Sequence, residues 1–163
     1  MNFEHLIEIN DPDNALLEPL SRNQLWQGLV MRAEKPELSA VGLDACTVLE
    51  RRTDYMHREL RFGALRVYDE VFFEPMQAVR YEIMASEQFA ASTLHMRIEE
   101  PYPGRFFIRF TYGNVDDKSD EMVRNHLEQA YIQADIDTVG VIRELAKMGK
   151  LGPYLAPDEQ GPH

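Results

Sequence analysis

The stretch Tyr55-Met56-His57-Arg58-Glu59-Leu60-Arg61-Phe62, then Gly63-Ala64, then Leu65-Arg66-Val67-Tyr68-Asp69-Glu70-Val71-Phe72-Phe73 decides the fold. Each arm repeats with a period of two, the signature of a strand with two unlike faces. Gly63-Ala64 reads as a two-residue hairpin turn, which fixes the register of the arms. Phe62 then pairs with Leu65, Leu60 with Val67 and Met56 with Val71. The same count sets Arg58 opposite Asp69 on the otherwise apolar side, and a charge pair there calls for an explanation.

Working outward, the period of two runs from Leu43 to Tyr112, predicting strands near 43–51, 55–62, 65–73, 77–85, 92–100 and 105–112. Turn signals separate them: Thr53-Asp54, Glu74-Pro75-Met76, Ser86-Glu87-Gln88 and Pro101-Tyr102-Pro103-Gly104. Links this short make an antiparallel meander, because parallel strands need long crossovers. Val79, Tyr81 and Ile83 oppose Arg80 and Glu82, and Leu94, Met96 and Ile98 oppose His95, Arg97 and Glu99, so one face is dry. Phe3, His5, Ile7 and Ile9 add a strand before this zone.

Two short helices follow that first strand. Ser21 and Gln24 form a capping box, with Leu20 and Leu25 as its staple and Leu25, Trp26, Leu29, Val30 and Ala33 as a buried stripe. Pro36 and Gly42 bound the second. At the far end, Ser119 to about Met148 reads as one helix roughly 45 Å long. Its expected stripe is Val123, Leu127, Ala130, Tyr131, Ala134, Thr138, Val141, Leu145 and Met148. The sum is an α+β fold: a curved antiparallel sheet of about seven strands around a long C-terminal helix, over residues 1–150. Residues 151–163 are expected to be a disordered tail.

Composition narrows the function. The chain has 163 residues and a formal net charge of -11, with no basic run, which argues against nucleic acid. Cys46 is the only cysteine, which excludes an internal disulfide and a C-x-x-C site. The start lacks a signal-peptide pattern, and no apolar run reaches the roughly 20 residues that span a bilayer, so a cytoplasmic protein without stable membrane insertion is expected. No His, Asp or Glu grouping has metal-ligand spacing, and no nucleotide motif is present, so neither metal nor cofactor is expected. Oligomeric state is open.

The helix stripe is small at its middle (Ala130, Ala134, Thr138), while the sheet offers Met96, Phe106, Phe110 and Tyr112. Two readings compete: a solid core in which large residues fill the space, or a ligand cavity. Pattern alone favours the solid core.

Five segments carry a resemblance: Met1-Asn2-Phe3-Glu4-His5, Gln24-Leu25-Trp26-Gln27-Gly28-Leu29, Arg58-Glu59-Leu60-Arg61-Phe62-Gly63, Ile98-Glu99-Glu100-Pro101 and Ala134-Asp135-Ile136-Asp137-Thr138. On these the chain resembles the helix-grip, START-like superfamily (SRPBCC), which includes pollen allergens of the pathogenesis-related class, and within it the AtaL-like group. The resemblance implies a lipophilic-ligand pocket between sheet and C-terminal helix. Superfamily members bind sterols, lipids, hormones or polyketide intermediates, and some cyclise them. The glycine-rich loop of the plant allergens has no counterpart here, where the link is Arg51-Arg52-Thr53-Asp54.

The residues expected to line such a pocket are Arg58, Asp69, Tyr81, Met96, Phe110, Tyr112, Ala130, Ala134 and Thr138. Arg58 and Asp69 are either a structural brace or, as the catalytic alternative, an anchor for a carboxylate or enolate with its orienting partner. Glu50 joins them if the 51–55 turn carries a bulge. His5 lies on the dry face, as a core residue or a general base. His57 and His95 fall on the wet face, Asp137 at the edge of the helix stripe, and Asp135 diverges from Asp137. The leading function is binding of a small lipophilic molecule. An enzyme of the polyketide cyclase or hydratase type, using His5, Arg58 or Asp69, is the alternative, and a protein-interaction role the third.

Overall fold

The computed structural model describes residues 2–113 and 121–155. The order is β1 (Phe3–Glu8), α1 (Arg22–Glu34), β2 (Ala45–Arg52), β3 (Tyr55–Phe62), β4 (Leu65–Glu74), β5 (Ala78–Ile83), β6 (Ser92–Tyr102), β7 (Arg105–Gly113) and α2 (Glu121–Lys147). The seven strands form one sheet, ordered β1-β7-β6-β5-β4-β3-β2, with every neighbour antiparallel. The meander from β2 to β7 is thus closed on one side by β1, which pairs with the last strand because both ends of the chain must cover the same dry face. Gly63 turns the β3–β4 hairpin at φ 61°, a conformation that costs other residues strain, and the register follows the hairpin count: Met56 opposite Val71, Arg58 opposite Asp69.

Between β1 and α1 the Asn10 amide bridges the loop, accepting from the Leu20 backbone N–H at 2.9 Å and donating to its carbonyl at 2.6 Å. That delivers Ser21 to the helix start, where the capping box forms: Gln24 N–H donates to Ser21 Oγ, and Ser21 N–H donates to Gln24 Oε1. The expected second helix is a single 3₁₀ turn, Pro36–Leu38. Three residues between a proline and the loop to Gly42 leave no length for a longer α-helical run.

The α2 stripe differs in phase from the expected one. Its buried residues are Asp135, Thr138, Val139 and Ile142, whereas Ala130, Ala134 and Met148 are exposed. The apolar pattern points about one residue early through the first half, because the true stripe passes through a carboxylate. Ser119, the side chain of Val123 and the tail 156–163 lie outside the described residues. Leu151 is buried, and Gly152 is held by Gln27 and Gln24 of α1, so the chain continues to pack past residue 150.

The two helices meet where Gly28 faces Ile142; a Cβ at Gly28 stands 2.7 Å from Ile142 Cγ2. Replacing Gly28 with alanine gains about 1 kcal/mol in helix propensity but forces the branch point of a fully buried side chain, which costs roughly 1–3 kcal/mol. Gly28→Ala is therefore expected to lower the urea midpoint, and an unchanged or raised midpoint would place the helices further apart.

Candidate functional site

Rows of side chains run across the concave face. One joins Val48, Arg58, Asp69 and Ile83 from β2 to β5; the next joins Met56, Val71, Tyr81, Leu94, Tyr112 and Phe3. The helices cover these rows unevenly. α2 lies along β1 and α1, and α1 crosses β5 and β6. A cavity of about 200 Å³, open to solvent on one side, is left over β3 to β6 and bordered by the 36–40 loop. Its wall carries Arg58, Asp69 and Tyr81 from the sheet, Arg32 from α1, and Thr138 and Ala134 from α2. Leu60, Ile83, Leu94 and Pro36 give its apolar part.

The Arg58–Asp69 pair is buried, each residue under 5% exposed. Arg58 Nε donates to Asp69 Oδ1 at 2.9 Å and Nη2 to Oδ2 at 2.6 Å, a bidentate pair. Nη1 donates to the Ala33 carbonyl at 2.8 Å, satisfying an orphan acceptor in the last turn of α1. Burial alone would lower the Arg58 pKa, but the Asp69 carboxylate outweighs it and holds the guanidinium above its ordinary value.

Tyr81 sits beside this pair. Its ring has Arg58 at 5.3 Å and Arg32 at 5.0 Å from the centroid. Its buried hydroxyl has no hydrogen-bond partner among the described residues. Arg32 is half-buried, and its Nε donates to Thr138 Oγ1 at 3.3 Å.

Beyond the cavity lies a second polar cluster. Asp135, 2% exposed, accepts from the Tyr112 hydroxyl on Oδ1, and its Oδ2 lies 3.3 Å from His5 Nδ1. Burial pushes the Asp135 carboxyl up, against the hydrogen bonds of Tyr112 and His5. Burial first, then the Asp135 bond, raises the Tyr112 hydroxyl as well.

Of the expected pocket residues, the cavity brings together Arg58, Asp69, Tyr81, Ala134 and Thr138. Met96 and Phe110 are 0% exposed in the packed core, and Tyr112 is tied to Asp135, so these three do not line it. Ala130 is exposed and also lies outside it, one turn too far along the helix. The cavity is consequently more polar than a stripe of alanines against aromatics implies.

The 53–54 turn carries no bulge, since Arg52 pairs with Tyr55, so Arg51 stands opposite Met56 and Glu50 faces outward opposite His57. The bulge in β2 comes later, between Val48 and Glu50, and sets Val48 opposite Arg58. Glu50 therefore does not join Arg58. Asp137 is exposed and bonded to Gln133. The pattern missed Arg32 and Asp135 altogether; the only signal for Asp135 was its i, i+3 spacing to Thr138 and i, i+4 to Val139.

Three depressions are larger: two of about 370 and 340 Å³ flank the 11–20 loop and share Tyr154, and one of about 250 Å³ lies beside Glu70, Glu82 and Met84. They are surface clefts, and the Arg143 that borders one already donates to the Glu18 and Ile9 carbonyls. Among the described residues, no three His, Cys, Asp or Glu side chains are placed as metal ligands, and no helix is long and apolar enough to cross a membrane.

Residues 7–149 match the profile of the family described as AtaL, Acetylaranotin biosynthesis cluster protein L. The chain belongs to the AtaL family. No curated protein matches its sequence. Among solved structures, it is similar to the di-domain ARO/CYC StfQ from the steffimycin biosynthetic pathway, with TM-score 0.67 and 10% identity. That match covers 91% of this chain and 52% of the other, so this AtaL-family chain spans about half of StfQ.

It is similar also to the Zhui aromatase/cyclase from Streptomyces sp. R1128, with TM-score 0.63, 10% identity and 90% and 93% of the two chains covered. A third similarity is to Ara h 8.0201, with TM-score 0.60, 12% identity and 88% and 98% covered. At these identities the likeness shows a common fold, the helix-grip arrangement of sheet and C-terminal helix.

Two outcomes follow from the site's electrostatics. Asp69→Ala strands a buried guanidinium and is expected to cost about 3–5 kcal/mol in urea melts, whereas Arg58→Met with Asp69→Leu should cost much less. A silent Asp69→Ala means the pair is solvated. For Asp135, a carboxyl that burial raises above the ordinary carboxylate range ionises less readily folded than unfolded, so its stabilising contribution is lost as pH rises through the folded value. The stability of Asp135→Asn relative to the parent should therefore improve over the range above about pH 4, where an unfolded aspartate ionises. A flat difference across that range means the carboxyl ionises as freely in the fold as in the unfolded chain.

Proposed function

We propose that this AtaL-family protein binds a small lipophilic molecule in the concave-face cavity, its polar end toward Tyr81, Arg32 and Arg58. The observation that carries this is the buried Tyr81 hydroxyl beside the cavity, without a partner among the described residues. Leaving a hydroxyl so placed costs about 1–3 kcal/mol, and a ligand oxygen or amine removes that cost. A volume of about 200 Å³ is below the range of drug-sized sites, which suits a ligand of one or two rings.

A cyclase- or hydratase-type enzyme is the second reading. The His5–Asp135–Tyr112 cluster favours it, since a carboxyl raised by burial beside a partly exposed imidazole is a candidate proton donor. None of the three lines the cavity, so a bound molecule has no direct access to them. Binding is the better supported of the two.

The test uses a small neutral naphthyl ketone fluorophore. The parent should bind it. Tyr81→Phe should weaken binding roughly two- to tenfold, for the loss of about 0.5–1.5 kcal/mol of hydrogen bonding. Ala134→Phe, at an exposed position, should alter stability by no more than about 0.5 kcal/mol yet abolish binding. A parent that binds neither this probe nor 2-naphthoate nor 2-naphthamide would sink the proposal.

A further inference from the structure

Two guanidinium groups line the cavity but only one carboxylate. Arg58 is committed: two of its nitrogens go to Asp69 and the third to the Ala33 carbonyl. Arg32 is not. Its one hydrogen bond among the described residues is from Nε to a neutral hydroxyl, Thr138 Oγ1, and its two terminal nitrogens have none.

Acids are not scarce in this chain, which has 28 Asp and Glu against 17 Lys and Arg. Most arginines elsewhere find them, although Arg143 bonds only backbone carbonyls. Arg109 bonds both Glu99 and Glu4, Arg105 bonds Glu8, and Arg51 bonds Glu34. The buried carboxylate that feels the charge of Arg32 is Asp135. Its oxygens bond His5 and Tyr112, while Arg32 bonds Thr138 and makes no hydrogen bond to it.

We infer that the ligand of this cavity is a small organic anion, a carboxylate or an ionised enol, received by Arg32 and the Tyr81 hydroxyl. The inference rests on the binding function proposed above and names its ligand class. Its physical ground is the state of Arg32 once the cavity fills. A neutral apolar occupant strips water from a half-buried guanidinium and returns nothing. An anion returns charge-assisted hydrogen bonds, roughly twice as strong as neutral ones. Tyr81 adds a donor with no competing acceptor among the described residues. The apolar wall of Leu60, Ile83 and Leu94 then receives the ring system.

Calorimetry with 2-naphthoate and its neutral isostere 2-naphthamide tests this, on the parent, Arg32→Gln and Arg32→Lys, each checked for folding by circular dichroism. The parent should prefer naphthoate by about tenfold, equivalent to about 1.4 kcal/mol. Arg32→Gln should lose that preference while holding naphthamide within about twofold, and Arg32→Lys should keep part of it. Equal affinities in the parent, or a preference that survives Arg32→Gln, overturns the anion while leaving the cavity function standing. Failure of both compounds and of the neutral ketone overturns the binding function, and this inference with it.

Discussion

The ion pair between Arg58 and Asp69 is where sheet, first helix and cavity are tied together. A bidentate pair fixes one guanidinium plane across β3 and β4. The same guanidinium reaches out of the sheet to the Ala33 carbonyl, so the C-terminal turn of α1 is held at a set height above it. Arg32 is the residue immediately before Ala33. Pinning that carbonyl decides where Arg32 can project, and hence which side of the Tyr81 ring it faces. Desolvating two charges is expensive, and such a pair is weak evidence for stability by itself. Its worth here lies in geometry, because an apolar replacement would fill the space without orienting α1.

The cavity's position is a consequence of coverage. A twisted sheet of seven strands presents a dry face wider than one helix can span. α2 is drawn toward β1 and α1, with Gly28 letting Ile142 approach the α1 backbone. The strip over β3 and β4 is then left to a short loop with a single 3₁₀ turn, which is too small to fill it. Volume that a longer second helix would occupy becomes cavity instead. The residues at its floor are those of the hairpin whose turn sets the whole register.

Most of the sheet was legible in one dimension, because period-two alternation and turn residues are local signals. The parity of the Gly63-Ala64 hairpin alone placed Arg58 against Asp69. The helix was read one residue out of phase for a physical reason. A stripe is recognised by apolar residues, and Asp135 is a carboxylate whose burial is made tolerable by Tyr112 and His5, far away in sequence. Its partners exist only after folding. The shift of β2 at Val48 is similar: a bulge reverses parity without a residue that announces it, so Val48 and not Leu49 stands opposite Arg58. Arg32 was invisible for the opposite reason. Its significance is the lack of a nearby carboxylate, and no sequence pattern reports what fails to approach.

Charge is distributed to match. On the outer face the strand arginines sit in cross-strand ladders with glutamates, such as Glu4–Arg109–Glu99 and Arg66–Glu59. Exposed pairs of this kind add little stability, but they consume basic charge where water already screens it. The net charge is -11, yet the cavity wall, with two arginines and one carboxylate, carries a surplus of the other sign. An anion approaching from solvent meets a repulsive field that salt screens within about 8 Å. Inside the cavity the dielectric is lower, and Arg32 acts at contact distance, where screening is weak. Selectivity for charge, on this arrangement, cannot come from steering; it has to come from the wall, and the wall residue free to supply it is Arg32.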